Sequence, residues 1–245
     1  MENLTAKISC FARAYHYKTN ERPIFGDSAA VHGRSAFAEQ CLTNEVRLGC
    51  RQYVLFAAGY DIFALRAPVQ GLRVYEMDQP GLIEDKKRRI ERSGIEEKAA
   101  VEYVPCDLAD AGWTTLLRGA GFRPGDKSFG SLLGLSYYLD SESFRVLLRS
   151  ISDLWSDGSA ICFDYQTTDG SGETRRNEQL AGAAGESMKA KYTAAGTEKM
   201  LANCGFLIYE QLDDEEMTKR YFAPCRGDMR APKGVNYVLA VKKRV

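Results

Sequence analysis

From residue 52 onward, short apolar runs rich in β-branched and aromatic residues alternate with stretches whose apolar positions recur every three or four residues. The runs predict strands at 52–57, 72–77, 101–106, 128–134, 159–164, 205–211 and 235–243. The stretches between predict helices at 61–67, 80–94, 111–119, 141–155 and 195–203. The clearest is 141–155. Phe144, Leu147, Leu148, Ile151, Leu154 and Trp155 repeat at helical spacing, Asp140 can cap the start, and Asp157-Gly158 ends it. Strands alternating with helices predict a parallel sheet covered on both faces. Phe206–Leu212 and Tyr237–Val241 have no helical pattern between them. They are expected to pair antiparallel, with the last strand inserted near the sheet edge. The fold class is therefore α/β, with a seven-stranded, mostly parallel, Rossmann-like sheet.

Upstream, a helix is expected from about Ser35, as N-cap, to Leu48. Phe37, Cys41, Leu42 and Val46 share its face and Gly49 stops it. Residues 1–33 read as a separate helical and loop segment that could act as a lid, and 34–245 as the main domain. Leu4–Tyr17 can be helical, while Glu21–Gly33, with Pro23, Gly26 and Asp27, reads as loop. One later stretch breaks the alternation. Gln166–Met188 is polar and carries Gly170, Gly172, Gly182 and Gly185, which fits either a linker or a mobile flap over a site.

Ligands in such sheets lie beyond the carboxyl ends of the strands. The first strand ends in Ala57-Ala58-Gly59, followed by Asp61 and a helical pattern. Small residues let a ligand approach the backbone, and Gly59 can take a positive φ. The second strand ends with Glu76 and Asp78, about 20 residues on, where an acid can take ribose hydroxyls. The third ends in Cys106-Asp107-Leu108. A carboxylate there can accept from an exocyclic amine while Leu108 faces the ring, although Asp107 could equally cap the helix that follows. Gly134–Tyr138 and Asp164-Tyr165 complete the edge. Acids on three successive strands suit a ligand with a ribose, an amine-bearing base and a cationic end. They suit a dinucleotide less well, because the turn lacks the full Gly-x-Gly-x-x-Gly. Arg34, ahead of the first helix, could clamp a carboxylate bidentately or simply sit on the surface. Lys86-Lys-Arg-Arg89 reads as a solvated helix face rather than a phosphate patch. His16 is a candidate base or a structural histidine. Tyr15, His16, Tyr137, Tyr138 and Tyr165 are candidates to line an acceptor pocket, with core packing the alternative for the tyrosines.

Composition narrows the function. Lys plus Arg and Asp plus Glu each number 33, so the formal charge is zero, which argues against a nucleic-acid partner. With no long apolar run, the chain reads as cytoplasmic, with no membrane partner. The seven cysteines are scattered without Cys-x-x-Cys and there are only two histidines, so neither a disulfide framework nor a metal site is expected.

These stretches together resemble the leucine carboxyl methyltransferase family, including bacterial polyketide carboxyl O-methyltransferases of the tetracenomycin type. The resemblance rests on Leu55–Arg66, Val74–Pro80 with Lys86–Arg89, Val104–Leu108, Gly134–Leu139 and Phe163–Tyr165, in the family's order over about residues 34–165. It implies the class I methyltransferase fold, with 34–245 as the S-adenosylmethionine-binding domain. By resemblance, Arg34 holds the carboxylate of the methionine moiety and Ala57 and Gly59 match the first-turn glycines around it, while Ala58, Asp61 and Gly134 are further cofactor-binding candidates. Asp78, with Glu76 beside it, takes the ribose, and Asp107 and Leu108 take the adenine. The chain departs from the family in reading Ala-Ala-Gly at the turn, in Leu133 where eukaryotic members carry an acid, and in the short Glu21–Gly33 interval where a helical cap is usual.

The expected activity is S-adenosylmethionine-dependent methylation of an oxygen on a small-molecule acceptor, a carboxylate or a hydroxyl. A carboxylate needs no base; a hydroxyl does, with His16, Asp164 and Tyr137 the catalytic candidates. Three other functions share these features: a cyclase that uses the cofactor itself, a non-catalytic cofactor-binding protein, and an NAD-dependent oxidoreductase.

Overall fold

The computed structural model describes residues 29–66, 69–97, 99–167, 191–223 and 230–244. Strands β1 (Gln52–Phe56), β2 (Arg73–Asp78), β3 (Ala100–Pro105), β4 (Ser128–Leu132), β5 (Ala160–Gln166), β6 (Phe206–Leu212) and β7 (Val235–Lys242) form one sheet. Its order is β3-β2-β1-β4-β5-β7-β6. The first five run parallel, and β7 lies antiparallel between β5 and β6. All seven expected strands are present, with the last inserted one place in from the edge.

The period-two pattern divides the core. Val54, Phe56, Tyr75, Met77, Ile161, Phe163 and Val238 face one side of the sheet, beneath α4 (Trp113–Gly119), α5 (Ser141–Leu154) and α6 (Ala194–Asn203). Tyr53, Leu55, Val74, Cys162, Tyr237 and Leu239 face the other, beneath α1 (Ala29–Arg47) and α2 (Phe63–Arg66). With helices on both faces, every residue of β1, β4 and β5 is buried. Helix α5 forms as its pattern predicts: Asp140 accepts from the Ser143 N–H at 2.7 Å, and Phe144, Leu147, Leu148, Ile151 and Leu154 are buried. Trp155, at its end, lies over the sheet where β4 carries Gly130. A Cβ on that glycine would stand 2.5 Å from Trp155 Cη2. Cys41, Cys50, Cys106, Cys162 and Cys204 are free and buried.

Two expectations need correction. Helix α1 begins at Ala29 rather than at a Ser35 cap. Ser35 is buried and Arg34 lies inside the helix. Helical structure also follows β6. Asp213 accepts from the Glu216 N–H at 2.9 Å and starts α7 (Asp214–Met217), which continues as a π-helical turn over Thr218–Phe222. Three acids in its first turn suit a helix N-terminus. This piece braces α1. At Gly33 a Cβ would meet Phe222 at 2.6 Å and Met217 Cε at 3.0 Å, so the glycine lets the two elements touch beside Arg34.

Among the described residues, no helix is long and apolar enough to cross a membrane, and no cluster of His, Cys, Asp or Glu could hold a metal ion. Tyr15 and His16, the catalytic candidate at position 16 included, lie outside the described residues, as does most of the glycine-rich stretch after Gln166.

Candidate active site

The registers Asp78↔Pro105, Phe56↔Met77, Leu55↔Ser131 and Leu132↔Phe163 align the carboxyl ends of five strands along one edge. The segments following β1, β2, β3 and β4, with the end of β5, therefore lie side by side.

Both ends of the β1 turn are left-handed: Ala57 has φ 53° and Gly59 φ 53°. The chain reverses sharply, and the Gly59 N–H points at β2, donating to Asp78 Oδ2 at 2.7 Å. Asp78 Oδ1 accepts from the Gln79 N–H, also at 2.7 Å. Each oxygen thus holds one backbone donor and keeps capacity for another. Burial raises the carboxyl's pKa, and these two N–H groups together with Lys86 pull against the rise. Ala58 is half-buried and its N–H donates to Met77 O at 3.0 Å, which closes the turn onto β2. Asp61 accepts from the Phe63 N–H at 2.7 Å and so starts α2.

Glu76 sits one pleat below Asp78 on the same face and is fully buried. Its partner is Lys86, from α3 (Pro80–Ser93). Lys86 is therefore not on a solvated face: it is 3% exposed and turned inward, while Arg88 and Arg89 pair with Asp85 at the surface. Burial pushes the Glu76 carboxyl up to about 7, against the pull of Lys86. Among the described residues, Glu76 Oε1 has no hydrogen-bond partner.

Asp107 stands exposed after β3. It accepts from the Ala109 N–H at 2.9 Å, a local turn, whereas α4 starts only at Trp113. Leu108 is half-buried beside it.

On the other side of β1, a carboxylate ties three elements together. Asp164 is 1% exposed. Its Oδ1 accepts from the Gly134 N–H at 2.6 Å, and its Oδ2 accepts from the Tyr137 hydroxyl at 2.8 Å and lies 3.5 Å from Arg34 Nη1. The Ser136 hydroxyl donates to its backbone carbonyl at 2.6 Å. Gly134 has φ 70°, and a Cβ there would lie 2.8 Å from Arg34 Nη1. The missing side chain makes room for the guanidinium.

Sequence reading placed Tyr137 and Tyr138 on a strand end; they occupy the turn after β4, with ring centroids 6.4 Å apart. Tyr137 is buried and its hydroxyl is committed to Asp164. Tyr165 is fully buried, accepts from Asn236 Nδ2 at 2.9 Å and packs edge-on to Tyr192. It belongs to the core rather than to an open pocket. Sequence reasoning missed Gly33, Met217 and Phe222, which set α1, and Tyr237, paired with Asp164 across β5 and β7. Only α7 carried a local signal, the Asp213-x-x-Glu216 capping pattern.

Residues 16–152 match the model of a family described as leucine carboxyl methyltransferase. A Bacillus subtilis protein named as an S-adenosyl-L-methionine-dependent methyltransferase, YktD, is 33% identical over 218 residues, covering 86% of this chain and 71% of that protein. A similarly named protein of Frankia alni is 35% identical over 145 residues, covering 58% of this chain and 51% of that protein. The chain spans about half the length of that relative and of one from Mycobacterium marinum. Among solved structures, a possible exported protein from Bordetella parapertussis matches with a TM-score of 0.63 at 14% identity, covering 98% of this chain and 79% of that one. The mitomycin 7-O-methyltransferase MmcR matches with a TM-score of 0.53 at 14% identity, covering 85% of this chain and 56% of that one. At such identities these two similarities establish the fold.

Proposed function

This chain belongs to the leucine carboxyl methyltransferase family and is an S-adenosylmethionine-dependent methyltransferase; from that premise we propose that its acceptor is the carboxylate of a small molecule. The observation that carries the cofactor assignment is Asp78. Its carboxylate is held by two backbone N–H groups at the rim of a turn of small residues, with acceptor capacity left on both oxygens. That arrangement fits a ribose diol. The exposed Asp107 with Leu108 fits an amine-bearing base, and Arg34 over Gly134 fits a carboxylate.

When bound, the cofactor supplies an electrophilic methyl group on a sulfonium. The residues' task is positional. Asp78 and Asp107 would fix the nucleoside end and Arg34 the amino-acid end, so that the acceptor oxygen is met in line with water excluded. The fate of Asp164 favours a carboxylate acceptor. A hydroxyl would need a base, and Asp164 already takes hydrogen bonds from Gly134 and Tyr137 beside the Arg34 guanidinium. A carboxylate is ionised at neutral pH and needs none.

The test has two parts. S-adenosylhomocysteine should raise the melting temperature and NAD should not. Incubation with labelled S-adenosylmethionine and a panel of small carboxylic acids and phenols should then give a product whose label is released as volatile methanol in alkali, as esters do. An alkali-stable labelled product would sink the carboxylate reading, and stabilisation by NAD alone would sink the cofactor assignment.

A further inference from the structure

We propose that Asp164 is a positioning residue for Arg34, holding the guanidinium in its carboxylate-binding pose before the cofactor arrives. This rests on the proposed role of Arg34. Three observations carry it. Among the described residues, the guanidinium meets Asp164 at 3.5 Å through Nη1, one edge of a planar fork that can hold a second anion. The same carboxylate fixes the Gly134 N–H, and Gly134 is the residue against which Nη1 lies. Asp164 is itself immobile: it is buried in β5, with both oxygens hydrogen-bonded and its backbone carbonyl taken by Ser136.

An unrestrained arginine loses side-chain freedom when it binds an anion, which weakens that binding. Anchored to β5 and braced at Gly33 by Met217 and Phe222, Arg34 has lost much of that freedom already. Asp164 acts through Arg34 and does not touch the ligand.

Asp164→Asn tests this. An amide offers one acceptor and one NH2 where the carboxylate offers two acceptors. The Tyr137 hydroxyl can turn round to accept, but the Gly134 N–H cannot. The amide oxygen must therefore face Gly134, and its NH2 then confronts the guanidinium and displaces it. S-adenosylhomocysteine, which has the carboxylate, should bind roughly tenfold more weakly, and methylthioadenosine, which lacks it, should change by less than about twofold. In an Arg34→Ala background, Asp164→Asn should have no further effect on S-adenosylhomocysteine. A continuing loss there would mean that Asp164 contacts the ligand's amino group directly, and the positioning role would be wrong. Equal loss of both ligands, or of neither, would also overturn it. Gly134→Ala asks the same question without altering the carboxylate, since its β-carbon would push Nη1 aside; the same selective loss is expected, and equal loss counts against the proposal. A wild-type protein that binds neither ligand would instead refute the cofactor site itself.

Discussion

Asp78 is where the structure makes its sharpest quantitative demand. Its two oxygens each accept one backbone N–H at 2.7 Å, from Gly59 and Gln79. Asp78→Asn turns one oxygen into an NH2. That group would face a backbone donor, and under the proposed ribose contact one hydroxyl would lose its acceptor. A hydrogen bond to a charged group contributes about 1.5–3 kcal/mol, so losing one, together with the donor clash, should weaken binding by about 2–4 kcal/mol. The expected loss is roughly 30- to 1000-fold. Methylthioadenosine keeps the ribose and should lose as much as S-adenosylhomocysteine, the reverse of the selectivity expected at Asp164. Titration also has a definite sign. Burial raises the Asp78 pKa, with the two N–H groups lowering it, and the net shift is upward. Hydroxyl donors need the ionised carboxylate. Wild-type affinity should therefore fall as pH drops through this raised pKa, by up to about tenfold per pH unit, and the Asn variant should lose that slope. Isothermal titration calorimetry between pH 4.5 and 8, with unfolding monitored in parallel, measures both. A folded Asp78→Asn protein within threefold of wild type, or one keeping the wild-type pH slope, would refute the ribose assignment.

Three further outcomes follow from the geometry. Ala57 is held at φ 53°, where an L-residue sits at a disadvantage of about 1–2 kcal/mol, while glycine's extra unfolded-state freedom costs about 0.5–1. Ala57→Gly should raise the melting temperature by roughly 1–4 °C in a scanning-calorimetry trace, and a fall would show that the turn is not strained. Gly130→Ala drives a β-carbon to 2.5 Å from Trp155 and 3.1 Å from Phe56. It should cost about 1–3 kcal/mol in urea unfolding, partly recovered by Trp155→Phe in the same background; undiminished stability would contradict the packing. Lys86→Met removes what restrains the raised pKa of Glu76. The folded wild type already binds more protons than the unfolded chain between about pH 4.3 and 7, and the variant extends that excess to higher pH. Relative to the wild type the loss should be smallest below about pH 7, where Glu76 is already mostly neutral, and should grow above it by up to about 1.4 kcal/mol per pH unit, with Glu76→Gln removing that slope; a pH-independent loss would exclude the pair as its cause.

What was legible in the sequence is what short-range physics encodes. Strand period, helix spacing and the Asp140 cap placed seven strands and the main helices, because each signal lies within one element and the sheet only has to stack them. The start of α1 was not legible, because Gly33 reads as a loop residue. It is tolerated inside the helix because the space it leaves is filled by Met217 and Phe222, far along the chain. Helix α7 was missed for the opposite reason. Its Asp213-x-x-Glu216 pattern is local, but only one α-helical turn, Asp214–Met217, follows it, too short to show periodicity.

The carboxyls at the sheet edge show where such reading stops. On the page of the sequence, Glu76, Asp78, Asp107 and Asp164 look alike: each is an acid at or beside the end of a strand. The fold gives them four different states. Glu76 is buried, paired with Lys86 and pushed toward neutrality. Asp164 has both oxygens hydrogen-bonded and steadies an arginine. Asp107 is exposed and turns its own backbone. Asp78 combines partial burial, two strong donors and remaining acceptor capacity, the combination a diol requires. The distinction lies in which donors already face each oxygen, and besides the local N–H groups of Gln79 and Ala109 those donors come from Gly59, Lys86, Gly134 and Tyr137, residues 10 to 30 positions away. Residue type and spacing can therefore nominate every acid along the edge. Only the hydrogen bonds each has already made separate those with acceptor capacity left over, Asp78 and the exposed Asp107, from those that hold the site in shape.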